Sequence, residues 1–100
     1  LNNSFYMLKT ENDLQAKPEA FLHNNEVRAK CIMVPENYNT TELTFAFYLL
    51  VNGKKVDTRW YEKTNKVNFT TKEKNNLEVV FFIKDEHAII FNVKIPVMPN

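Results

Sequence analysis

The chain has 100 residues, 44% of them hydrophobic, with 13 basic and 12 acidic side chains and a formal net charge of +1. That length makes a single domain, 1–100, which buries roughly 65% of its unfolded surface without needing disulfide staples. Near-neutral charge gives no global field to attract nucleic acid or an anionic membrane, and no apolar run is long enough for membrane insertion or has signal-peptide patterning. The one cysteine, Cys31, has no intrachain partner, so cysteine usage identifies no oxidising compartment. A chain that begins at Leu1 reads as an excised fragment or a processed product.

In chain order, Leu1 to Thr10 carries Phe5, Tyr6, Met7 and Leu8, an edge strand or a packed linker within residues 1–12, and Glu11-Asn12-Asp13 interrupts it. Leu14 to Ala16 continues as strand until Pro18, which lacks a ladder donor and so marks an edge or a break. Phe21 and Leu22 lead into a turn at His23-Asn24-Asn25. Val27, Ala29, Cys31 and Met33 then alternate with Arg28 and Lys30 in a strand that ends at Pro35. Glu36 to Glu42 is polar and reads as a connection crossing between sheets.

The stretch Phe45 to Asp85 holds eight of the thirteen aromatic residues and organises the rest. Phe45, Phe47, Leu49 and Val51 alternate with Ala46, Tyr48 and Leu50, apolar on both faces, which is the pattern of a central strand. Asn52-Gly53 supplies the positive-φ residues of a tight hairpin. In the return strand, Val56, Thr58 and Trp60 alternate with Asp57, Arg59 and Tyr61, one face on the core and one in solvent, so Trp60 is expected to be buried. Val67 to Thr70 makes a short strand, and Leu77 to Ile83 is a near-continuous apolar run suited to the middle of a sheet. After a turn at Asp85-Glu86-His87, Ile89, Phe91, Val93 and Ile95 alternate with Ile90, Asn92 and Lys94 in a last strand that Pro96 and Pro99 end.

About seven strands at this spacing predict an all-β fold, an antiparallel immunoglobulin-like or fibronectin type III-like β-sandwich. More narrowly, Phe47-Tyr48-Leu49-Leu50, Asn52-Gly53-Lys54, Arg59-Trp60-Tyr61 and Leu77 to Asp85 resemble the tyrosine-rich immunoglobulin-like accessory modules of bacterial multidomain proteins, including the three-tyrosine module of sensor regulators. The resemblance covers about the C-terminal half. It departs from the pattern at Asn75-Asn76-Leu77, where a Gly-Lys-Tyr turn is usual, so it carries architecture and no functional residues. It implies a noncatalytic part of a surface-associated, polysaccharide-handling or sensory protein, in an extracytoplasmic or cell-surface setting.

The residues themselves offer little chemistry. His23 and His87 fall in turns without metal-ligand spacing, Cys31 faces inward as an inert thiol, and Asp85, Glu86 and Glu42 flank strands as solvated carboxylates. With Gly53 the sole glycine there is no phosphate-binding loop. No catalytic residue, metal site or cofactor is expected. The sequons at Asn2, Asn39 and Asn68 arise easily in a chain with fourteen asparagines. The leading expectation is a noncatalytic module that positions a neighbouring domain or offers an edge strand to a protein partner. The alternative is a carbohydrate-binding module in which Tyr48, Trp60 and Tyr61 form a stacking platform for a polysaccharide, and coplanar exposure of two of these rings would favour it.

Overall fold

In the computed structural model, which describes residues 4–8 and 14–99, the chain is all-β with no helix among the described residues. The sequon at Asn2 and the Glu11-Asn12-Asp13 interruption lie outside the described residues. The strands are β1 (Tyr6–Met7), β2 (Gln15–His23), β3 (Glu26–Val34), β4 (Thr44–Val51), β5 (Lys54–Glu62), β6 (Lys66–Thr70), β7 (Leu77–Lys84), β8 (Ile89–Pro96) and β9 (Met98–Pro99). They form two packed sheets, ordered β1-β2-β3-β6 and β5-β4-β7-β8, with β9 joining β2 in parallel and every other pairing antiparallel.

Local chemistry accounts for the turns. Asn52 and Gly53 take φ of 52° and 79°, so β4 turns into β5 with Val51 opposite Lys54, the geometry that matches the twist of the flanking strands. Asn24, at φ 56°, serves the β2–β3 hairpin, where His23 pairs with Glu26. The Asp85 carboxylate accepts N–H bonds from His87 and Ala88, each 2.8 Å, and these bonds, Ala88's first, hold its pKa below the ordinary value. The polar segment Glu36 to Glu42 lies between β3 of one sheet and β4 of the other and so crosses between them, as expected.

The core lies between the sheets. Ala16, Ala20, Ala29, Cys31 and Phe69 from one side join Phe45, Phe47, Leu49, Val79, Phe81 and Ile83 from the other in one continuous apolar cluster. Phe47 and Phe81 are directly opposed in β4 and β7 and meet edge to face at 5.5 Å. Strands β4 and β7 are central, and on β4 even the outward Ala46 and Leu50 are buried, which is why that segment is apolar on both faces.

Two local expectations are corrected and one is narrowed. Of the edge or break expected at Pro18, the structure has the edge: β2 runs through it, because β1 partners only Gln15 and Ala16 and β9 only Phe21 and Leu22. Pro18 falls in the unpartnered gap between them, where no donor is required. Trp60 is not a core residue but 64% exposed. Two irregularities in β5 leave Val56 as an extra residue between Lys55 and Asp57, and set both Trp60 and Tyr61 against Ala46 alone. These bulges place Trp60 on the outer side with Thr58 and turn Asp57, Arg59 and Glu62 to the inward phase. In β8 a similar shift lets Ile90 into the core and leaves Ile89 exposed.

Candidate functional site

The face of the β5-β4-β7-β8 sheet turned away from the core gathers four aromatic residues, Tyr48, Trp60, Tyr61 and Phe82. Tyr48 on β4 is opposite Val80 of β7 and Thr58 of β5, and Ala46, opposite Phe82, leaves space beside the bulge that carries Trp60 and Tyr61. The rings form a chain of edge-to-face contacts. Tyr48 meets Phe82 at 4.9 Å and 65°, Phe82 meets Tyr61 at 6.4 Å and 61°, and Tyr61 meets Trp60 at 5.5 Å and 75°. Such pairs stabilise beyond their buried area.

Two lysines close this array. Lys55 Nζ lies 4.6 Å from the centroid of Tyr48, and Lys84 Nζ lies 5.2 Å from that of Tyr61, the geometry of cation–π attraction. Burial, and secondarily the charge on Tyr48, raise the Tyr61 phenol above its ordinary 10.0. Both phenols are half-buried, while Trp60 stands out as the exposed member. The arrangement is an aromatic surface patch with a cationic rim. It is not a coplanar platform: the three expected site residues are brought together, but their rings are steeply inclined and two ring faces already carry ammonium groups.

Phe82, Lys55 and Lys84 were absent from the expected site. Phe82 had a legible signal, since adjacent Phe81 and Phe82 in a two-faced strand must point opposite ways. The lysines depend on which strand lies beside which, and no local pattern gives that.

The other candidate groups are placed differently. Cys31 is buried, and desolvation pushes its thiol up to about 12. His23 ends β2, and His87 is exposed, 3.8 Å from Glu86. Among the described residues no set of three or more His, Cys, Asp or Glu is grouped to hold a metal ion. The sequon residues Asn39 and Asn68 are both exposed. A separate shallow groove of about 660 Å³ crosses the outer face of the other sheet, bordered by Phe21, Arg28, Lys30, Lys66 and Asn68. Compared with protein-family models, curated proteins and solved structures, the chain matches none.

Proposed function

We propose that this chain is a noncatalytic accessory module of the immunoglobulin-like, fibronectin type III-like kind, akin to the tyrosine-rich modules of bacterial multidomain proteins. It positions a neighbouring domain or binds a protein partner within a larger, surface-associated or polysaccharide-handling protein. The observation that carries this reading is the strand order: apart from the two-residue β1 and β9 that flank β2, β2-β3-β6 stacked on β5-β4-β7-β8 is an arrangement suited to such a module. The contact is made through the aromatic face rather than a strand edge. Bulges and charges protect β5, as edge strands are commonly protected, whereas Trp60 offers the large, exposed ring typical of interface anchors.

The exposure of Trp60 also favours a second reading, carbohydrate binding through Tyr48, Trp60 and Tyr61, which the inclined rings weaken. Tryptophan emission and iodide quenching, compared between the isolated domain and the parent protein, distinguish the two. Docking on a protein neighbour predicts blue-shifted, quencher-protected emission in the parent and no response to soluble polysaccharides. Equal quenching in both, with a saturable shift on adding one polysaccharide, overturns the leading reading. In Trp60→Ala, folding stability is expected to change by less than about 0.5–1 kcal/mol, while partner binding weakens by more than about 1 kcal/mol.

A further inference from the structure

We infer that the outer face of the β1-β2-β3-β6 sheet binds a linear acidic polysaccharide, at a site centred on Lys30 and Lys66. These lysines stand directly opposite each other on β3 and β6, and among the described residues neither has a carboxylate partner. Like charges at opposed positions destabilise a sheet, so the pair is a cost in the free protein that an anion lodged between the two ammonium groups offsets. Arg28, two residues along β3 on the same face, is already paired with Glu26 at 3.3 Å, which leaves the two lysines as the unpaired cations of the site. Glu19, which lines the groove and stands opposite Lys30 on β2, is engaged by Lys17 at 3.6 Å.

The shape of the site selects a glycan over a peptide. The groove of about 660 Å³ runs across three strands, from Phe21 on β2 over Arg28 and Lys30 to Lys66 and Asn68. Backbone groups of a sheet point in its plane, toward neighbouring strands or its edges, so the face offers side chains alone. A peptide laid there cannot add a strand to the ladders, so it gains none of the main-chain hydrogen bonds that give strand addition its affinity. A saccharide brings hydroxyls and anionic groups that suit Asn68 and the two lysines, with an apolar ring face for the 38%-exposed Phe21. The site lies on the opposite sheet from Trp60, so it stands or falls independently of the aromatic surface.

Calorimetric titration of the chain at low ionic strength tests this, with polygalacturonate and dextran sulfate as carboxylate and sulfate probes and with polyglutamate and a neutral glucan in parallel. Saturable binding of either acidic polysaccharide is expected, weakened roughly tenfold or more in the Lys30→Gln, Lys66→Gln double variant and unchanged in Lys55→Gln, Lys84→Gln. In Lys66→Glu, which converts the like-charge pair into an opposite-charge pair, the thermal midpoint should rise while binding is lost. The inference is overturned by no binding to either probe, by polyglutamate binding as tightly, by binding that survives the Lys30, Lys66 double variant, or by its loss in the Lys55, Lys84 variant.

Discussion

Cys31 illustrates how one inward position couples burial to pH. It is 1% exposed on the core side of β3, and desolvation raises its thiol from an ordinary 9.0 to about 12. In the unfolded chain the thiol ionises near 9, while in the folded chain it keeps its proton to about 12, so between those values the folded state binds more protons. Stability from this residue is therefore fully present below pH 9 and is lost as pH rises through that window, at up to about 1.4 kcal/mol per pH unit. Urea unfolding of the wild type and Cys31→Ala at a series of alkaline pH values checks the sign. The difference between the two should shrink as pH rises, since lysine deprotonation is common to both. The inward setting was legible from Val27, Ala29, Cys31 and Met33 alternating with Arg28 and Lys30, because no bulge intervenes between β3 and its neighbours.

Strand β5 was only half legible, and the reason lies in its neighbours. Its alternation correctly grouped Thr58 with Trp60, but assigned that face to the core, because a strict period of two cannot register the bulges at Val56 and at Trp60-Tyr61. With the phase so set, Arg59 becomes the seal between the sheets. Its guanidinium lies 4.7 Å from the centroid of Phe69, Nη2 donates to Asn68 O at 3.0 Å, and Nη1 pairs with Asp57 at 3.2 Å. Backbone groups of Asn65 and Thr71 bond toward β3 and β2–β3, so those of Lys66 and Asn68 point to the open edge of β6. Thr64 Oγ1 donates to Lys66 O and accepts from Lys66 N. The edge is thus occupied by side chains from the β5 side, which argues against the expectation that an edge here is offered to a partner. Arg59→Ala should cost about 1–2 kcal/mol, the ring stack and hydrogen bond contributing more than the half-exposed ion pair. It should also introduce concentration-dependent self-association through the unsealed edge. Urea midpoints and sedimentation velocity measure the two effects, and a strictly monomeric variant would show that the edge does not depend on Arg59.

At the scale of the molecule, the sandwich was readable where apolar runs dominate and unreadable where partnering decides. The two-faced apolar segments of β4 and β7 announced central strands, and Asn52-Gly53 announced the β4–β5 hairpin. The continuity of β2 through Pro18 and the meeting of Tyr48, Tyr61 and Phe82 depend on which strands become neighbours, and so were not. Phe69 joins the two halves. It sits on a five-residue edge strand, yet it is fully buried in the shared core and stacked beneath Arg59 of the other sheet. Phe69→Ala should cost about 3–5 kcal/mol, a large fraction of the roughly 5–15 kcal/mol that holds a domain of this size, and lower the melting temperature by at least about 12 °C. Because the core is one cluster spanning both sheets, the loss should weaken them together. Trp60 emission reports the β5-β4-β7-β8 sheet and Cys31 thiol protection reports the other, so in wild type and variant alike their urea midpoints should coincide. Cys31 becoming reactive at lower urea than the Trp60 transition would mean instead that the β2-β3-β6 layer opens on its own, and that Phe69 stabilises one sheet rather than the union of two.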